Sequence, residues 1–144
     1  MKKEFGMATI TATYLGDLRV ESVHAASGAH SAVTMAEVFK IASHGSKISR
    51  STVCATALAS CAMTIIGIYG KMHDVDVTGT SIEVTKTMSA NPRRIGKLEV
   101  VFTMPDREYT DKQKTMIERA AHTCPVHLSL HPDVEQVFTF HWKR

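Results

Sequence analysis

Residues 52–72 read TVCATALASCAMTIIGIYGKM and contain the longest weakly polar run of the chain, Val53–Tyr69. Ser49 and Ser51 are suitable N-cap residues before this run, because a serine hydroxyl can accept a hydrogen bond from a first-turn N–H group. The sequence therefore predicts one long helix here, with last turns that Gly67 and Gly70 weaken. The apolar run reaches only the lower length limit of a membrane span and includes Thr56, Ser60 and Thr64, which favours a buried core helix.

Segments typical of strands precede this helix. Ala8–Tyr14 alternates apolar residues with threonine, and Gly16-Asp17 supplies a turn before Leu18–His24. This alternation with a period of two predicts an opening hairpin. Ala32–Ile41 is apolar but flanked by serine and glycine clusters, and we interpret it as a short strand followed by a long loop.

A second helix and further strands follow the central helix. Thr110-Asp111-Lys112-Gln113 has the spacing of a capping box and predicts a helix over Asp111–His122, which Pro125 stops. A second hairpin and a final strand are predicted over Ser81–Met88, Ile95–Met104 and Glu135–Trp142. Strands at both ends of the chain around two helices, without alternating βαβ units, indicate the α+β class.

Chain length and composition indicate a single domain over residues 1–144, with 44% hydrophobic and 22% charged residues. The net charge of +3 comes from basic residues spread along the chain, which does not indicate nucleic-acid binding. Three cysteines cannot form a disulfide framework and favour a reducing compartment. No apolar signal segment follows Lys2 and Lys3, because Glu4 comes at once. We therefore expect a cytoplasmic protein with no membrane or nucleic-acid partner.

The three thiols are the first candidates for chemistry. Cys54 and Cys61 lie on one face of the predicted helix about 10.5 Å apart along its axis, too far to bridge each other. Cys124 precedes Pro125, which biases it toward an extended backbone at a helix exit. Spacing alone allows a Cys61–Cys124 pair, a Cys54–Cys124 pair, or three inert core cysteines. A reactive Cys61 would need a nearby cation, and Arg19 of the first hairpin is our candidate.

Histidines around Cys124 raise the question of a metal site. His122, His127 and His131 surround this cysteine in sequence, but the chain has neither a C-x-x-C nor an H-E-x-x-H motif. We therefore predict no metal ion and no other cofactor. Nucleophile-elbow and phosphate-loop motifs are absent from the sequence as well, which disfavours a serine hydrolase or a P-loop nucleotide hydrolase.

Several motifs together resemble the OsmC/Ohr family of cysteine-based peroxidases. In chain order they are YLGDLR (14–19), HAASG (24–28), ATALASC (55–61), MTIIGI (63–68), PRRIG (92–96) and TCPVHLSLHP (123–132). The resemblance runs over most of the chain. It implies an α+β fold with antiparallel sheets around two central helices, in an intertwined homodimer with active sites at the subunit interface.

The resemblance also implies a role for each candidate residue. Cys61 would be the peroxidatic thiolate that attacks an organic hydroperoxide, and Cys124 would resolve the resulting sulfenic acid as a disulfide. Arg19 would polarise the peroxide and hold the thiolate. A dithiol reductant, lipoyl-linked or a small thiol, would restore both thiols. Cys54 matches an ordinarily apolar position, and we expect it to pack in the core.

The sequence departs from the family at the start of the central helix. Relatives usually carry a carboxylate there that orients the arginine, whereas this chain has Ser51 and Thr52, after Arg50 in place of a common proline. Glu37 is a candidate substitute acid. Loss of an orienting group costs preorganisation and not the nucleophile itself. The sequence therefore predicts a thiol peroxidase of weakened or altered activity, with a non-enzymatic dimer that binds a hydrophobic ligand or partner as the alternative.

Overall fold

The computed structural model describes residues 9–16, 19–24, 26–28, 30–34 and 50–142. The chain divides into two compact units, one up to Arg50 and one from Ser51 onward. The first unit contributes a small sheet. The second contains the helices, a second sheet and the candidate thiols.

The first unit is a three-stranded antiparallel sheet. Its strands are β1 (Ile10–Gly16), β2 (Arg19–His24) and β3 (His30–Thr34), in the order β1-β2-β3. The predicted opening hairpin is confirmed, with β1 and β2 paired from Ile10↔His24 onward. Gly28 adopts a positive φ of 69° in the turn before β3, a conformation that suits glycine. The predicted short strand is present but begins before Ala32 and ends at Thr34, and the rest of that segment lies outside the described residues.

The central helix is α1, Arg50–His73. One side of the helix is buried and rich in small residues, which lets other segments of the same chain approach closely. The buried residues are Ala55, Leu58, Ala59, Ala62, Ile66 and Gly70. By length and composition α1 would also suit a membrane span, but core helices meet the same criteria. Leu58, Ala62 and Ile66 belong to the hydrophobic core. The prediction of a long helix is confirmed.

The second sheet has the order β4-β5-β6, with β4 at Ser81–Ser89, β5 at Arg94–Thr103 and β6 at Glu135–His141. β4 and β5 form the predicted antiparallel hairpin, whereas β6 pairs with β5 in parallel. The expectation of purely antiparallel sheets is therefore wrong, and this sheet is mixed. The reason is the helical connection between β5 and β6, since parallel neighbours require a long crossover.

Two helices form that crossover. α2 spans Asp111–Ala121 and begins with the predicted capping box, in which Thr110 and Gln113 exchange hydrogen bonds. Pro125 does not simply end this helix, as the sequence suggested. It is the first residue of a short helix, α3 (Pro125–Ser129), where the missing N–H of proline costs nothing.

The core of the second unit lies between the sheet and the helices. The central strand β5 contributes Leu98, Val100 and Phe102, all fully buried. Phe102 stacks on Phe140 with ring centroids 4.8 Å apart and meets the edge of Phe138 at 6.0 Å. Cys124 belongs to the same buried cluster, so the loop after α2 is held by the core itself.

Candidate active site

Cys61 and Cys124 come together at the edge of this core. Cys61, in the middle of α1, is half-buried and packs against the cluster that includes the fully buried Cys124. Cys61 lies close enough to Cys124 to raise the pKa of its thiol. Of the pairs left open by sequence spacing, the structure brings together Cys61 and Cys124. Cys54 lies seven residues before Cys61 on the same helix, about 10.5 Å away along its axis. It is half-buried, whereas we expected a fully buried core residue.

The backbone around Cys124 fixes the position of its sulfur. Cys124 has the extended conformation predicted before proline, with φ −67° and ψ 140°, and it is the N-cap residue of α3. Its Sγ accepts a hydrogen bond from the backbone N–H of His127 at 3.3 Å. Its carbonyl accepts from the N–H of Leu128 at 3.2 Å. The thiol is thus the side-chain cap of the helix that follows it.

The environment of Cys124 favours the protonated thiol. Burial raises the pKa of the Cys124 thiol, and the hydrogen bond and charge interaction with Cys61 raise it further. The N–H groups of His127 and Val126 act in the opposite direction, because they stabilise a thiolate, but burial outweighs them. Cys124 therefore keeps its proton to a higher pH than an exposed cysteine does.

Side chains beyond the thiols hold α3 in place. His127 Nδ1 lies 2.7 Å from Gln136 Oε1, and Gln136 Nε2 donates to the His127 carbonyl at 3.1 Å. The imidazoles of His122 and His127 both pack on Phe138, with centroid distances of 4.8 and 5.3 Å. The sequence singled out His127 as a metal candidate and within the TCPVHLSLHP motif, whereas Gln136 was missed. No sequence pattern marks Gln136, because its contact depends on where β6 lies.

The histidines near Cys124 do not converge on a common point. His122 and His127 meet ring to ring at 5.5 Å, whereas His131 lies 3.7 Å from Asp133. Within residues 50–142 and the other described segments, no three His, Cys, Asp or Glu side chains are placed to hold a metal ion.

Comparison with known proteins identifies the family. The sequence model for OsmC-like proteins matches residues 43–137. The crystal structure of a Psychrobacter arcticus protein, named as an osmotic stress induced and detoxification response protein, is 38% identical. The alignment covers 94% of this chain and 97% of that one, with a TM-score of 0.85. The chain belongs to the OsmC/Ohr family. Comparison with curated protein sequences gives no match.

More distant structures of the OsmC/Ohr family share the fold. The organic hydroperoxide resistance protein OsmC of Legionella pneumophila is 12% identical, covers 92% of this chain and 95% of its own, and has a TM-score of 0.70. The organic hydroperoxide resistance protein OhrB of Bacillus subtilis is 15% identical over 91% and 95%, with a TM-score of 0.68. At these identities the likeness concerns the fold alone.

The start of α1 differs from the pattern expected for the OsmC/Ohr family. Lys86 of β4 donates hydrogen bonds to Ser51 Oγ at 2.7 Å and to Thr52 Oγ1 at 3.0 Å. A cation therefore lies beside the two residues at which the family resemblance leads us to expect a carboxylate. Sequence reasoning missed Lys86, because it lies 35 residues from Ser51 on an alternating strand.

The remaining predicted site residues belong to the first unit or to its boundary. Arg19 begins β2, where its backbone pairs with Gly16 on one side and Thr34 on the other. Arg50 is the first residue of α1 and is exposed. Glu37, the candidate substitute acid, lies outside the described residues. The roles suggested for Arg19 and Glu37 stay predictions.

An open cavity of about 600 Å³ lies at the opposite end of α1. Gly67 and Gly70 line it from the helix, and Lys71, Asp74 and Asp76 bring charged groups to it. This cavity is separate from the thiol pair. Its charged lining does not suit a purely hydrophobic ligand.

Proposed function

We propose that this OsmC/Ohr protein is a thiol-dependent peroxidase that reduces organic hydroperoxides. The observation that carries the proposal is that Cys61 packs against the buried cluster that contains Cys124, close enough to influence the Cys124 thiol. Two thiols held this way on different elements suit a cycle in which one is oxidised and the other closes a disulfide.

In the first step, the Cys61 thiolate attacks an oxygen of the hydroperoxide and breaks the O–O bond. Cys61 becomes a sulfenic acid, and the alkoxide leaves as an alcohol after taking a proton. In the second step, the Cys124 sulfur attacks the Cys61 sulfur, a disulfide forms, and the hydroxyl leaves as water. A dithiol reductant, lipoyl-linked or a small thiol, then reduces the disulfide and is itself oxidised to a disulfide.

We assign to Arg19 the role of polarising the peroxide and stabilising the Cys61 thiolate. A guanidinium keeps its charge at all physiological pH values and offers several N–H donors in a plane, which suits both tasks. Support comes from the position of Arg19 within the family motif YLGDLR.

We also propose a cytoplasmic homodimer built through α1. This helix exposes large apolar side chains: Val53 (42% exposed), Ile68 (48%) and Met72 (75%). Apolar side chains along one helix favour a second protein surface over water. A reducing compartment agrees with the three free thiols.

The Lys86 contacts at Ser51 and Thr52 favour a second candidate function. Hydroxyl groups at positions 51 and 52 that bind an ammonium group suit a family member that keeps the dimer but has lost turnover, binding a hydrophobic ligand or a partner protein. Steady turnover of an alkyl hydroperoxide with a dithiol reductant would exclude this alternative.

The deciding experiment adds one equivalent of an alkyl hydroperoxide to the fully reduced protein, followed by thiol counting and peptide mass spectrometry. We expect the three free thiols to fall to one, with Cys61 joined to Cys124. Cys61→Ser should consume no peroxide. Cys54→Ser is the matched control, because the same helix loses a thiol that the cycle does not use, and it should close the same disulfide. Three persisting thiols would refute the peroxidase.

A further inference from the structure

The helix that Cys124 caps, α3, is too short to be stable without contacts to the rest of the protein. α3 has five residues, fewer than an isolated helix needs to form in water. Its backbone nevertheless sets the direction of the His127 N–H bond that ends on Cys124 Sγ. An outside contact must therefore fix α3 if the sulfur is to stay in one place.

Gln136 supplies that contact through both ends of its amide. The His127 carbonyl can only accept, so the group that faces it at 3.1 Å must be the Gln136 NH₂. The amide oxygen then faces His127 Nδ1 at 2.7 Å, and Nδ1 must carry the proton. The amide orientation and the imidazole tautomer thus determine each other, and the pair is a two-point clamp.

The clamp connects α3 to a strand that pairs with the buried central strand of the sheet. Gln136 pairs in register with Leu98 of β5, which is fully buried. A continuous path of contacts therefore leads from Leu98 through Gln136 and His127 to Cys124. Without the clamp, α3 keeps the Leu128 N–H bond to Cys124 and the packing of His127 on Phe138, but it loses its side-chain hydrogen bonds to β6.

We propose that Gln136 is a positioning residue that holds the Cys124 sulfur against Cys61 for disulfide closure, through its clamp on His127. The proposal rests on the peroxidase function above and names a residue that acts on its second step only. Closure requires the two sulfurs to meet within a narrow range of distance and torsion. As the Cys124 proton departs, negative charge develops on its sulfur. The backbone N–H of His127, which the clamp orients, stabilises this charge.

The test separates the two steps in the full chain. All proteins carry Cys54→Ser, so that only the two thiols of interest remain. Sulfenic acid on Cys61 is trapped with dimedone, and closure is followed by mass spectrometry after an alkyl hydroperoxide pulse. A parallel series starts closure with saturating diamide, a thiol oxidant that needs no peroxidase activity. The variant is Gln136→Leu, and Thr139→Val, exposed on the same strand, is the control.

We expect Gln136→Leu to form sulfenic acid at the unsubstituted rate and to close the disulfide about tenfold more slowly, with or without peroxide, since two hydrogen bonds are lost. Thr139→Val should match the unsubstituted protein. Gln136→Glu keeps the size and the acceptor and loses only the donor to the His127 carbonyl. It should also slow closure, and it gives the same test if the leucine variant does not fold.

Unchanged closure in both Gln136 variants would overturn the proposal, and so would equal slowing of sulfenic acid formation and closure, which indicates a merely structural role. If the unsubstituted protein ignores peroxide but Gln136→Leu still closes slowly in diamide, the peroxidase function fails while the positioning role stands.

Discussion

The Lys86 ammonium group donates a 2.7 Å hydrogen bond to Ser51 Oγ in the first turn of α1. The N-terminal end of a helix carries partial positive charge, so a lysine there is unfavourable unless oxygens solvate it. The Ser51 and Thr52 hydroxyls provide such oxygens. A carboxylate placed at position 51 would lie within reach of this ammonium group.

This arrangement predicts that a carboxylate introduced at position 51 alone does not gain the orienting role that the family resemblance implies. Ser51→Glu should change kcat/KM for an alkyl hydroperoxide by less than about twofold, because the new carboxylate pairs with Lys86. The double variant Ser51→Glu/Lys86→Met should raise kcat/KM about tenfold, since Lys86 no longer neutralises the new carboxylate and the orienting role that the family resemblance implies becomes available to it. Initial rates with a dithiol reductant measure both, and Lys86→Met alone is the control. A tenfold gain in the single variant would show that Lys86 does not capture the acid.

The raised pKa of Cys124 predicts a loss of stability in alkaline solution. The folded protein keeps the Cys124 proton to a higher pH than the unfolded chain does. Stability from this group is therefore complete below the unfolded-state pKa and is lost as pH rises through the folded-state pKa, at a slope of at most about 1.4 kcal/mol per pH unit. Urea unfolding of the reduced protein at several pH values above about 8 measures the slope. Cys124→Ser should flatten it, and an unchanged slope would contradict the prediction.

The elements that the sequence predicted well are those specified by local patterns. The capping box at Thr110 and Gln113 needs only neighbouring residues, and the hairpin of β4 and β5 needs only alternation and a turn. The parallel pairing of β6 was missed because it depends on the path of the crossover.

The candidate site likewise contains residues that sequence motifs predict and residues that only tertiary packing brings into place. Motif resemblance singled out Cys61 and Cys124, whose contact the structure contains. Gln136 and Lys86 carry no motif, and they reach His127 and Ser51 only because strands β6 and β4 pack beside α3 and α1. Such contacts follow from tertiary packing, which a single sequence does not encode as a pattern.

The proposed homodimer predicts that one charge on α1 disrupts association. Ile68 is 48% exposed, and burying a glutamate there without a partner is costly. Ile68→Glu should convert the dimer to a monomer at micromolar concentration, as measured by sedimentation equilibrium. Leu128→Glu is a suitable control, because Leu128 is 70% exposed but belongs to α3. A dimer that survives Ile68→Glu would place the interface elsewhere.

Two glycines of α1 should respond in opposite ways to alanine. At Gly70 a Cβ would lie 2.5 Å from the Val75 carbonyl oxygen, and this backbone is tied to the helix end by the Val75 N–H bond to the Gly70 carbonyl. Gly70→Ala should therefore lower the free energy of unfolding by about 1–3 kcal/mol.

At Gly67, one turn earlier, a Cβ meets nothing within 4 Å. Gly67→Ala should raise the free energy of unfolding by about 0.5–1 kcal/mol, because alanine loses less backbone entropy in a helix. Chemical denaturation of both variants measures the difference. Equal effects would refute the steric argument at Gly70, and a destabilising Gly67→Ala would indicate that a second copy of the chain packs against this side of α1.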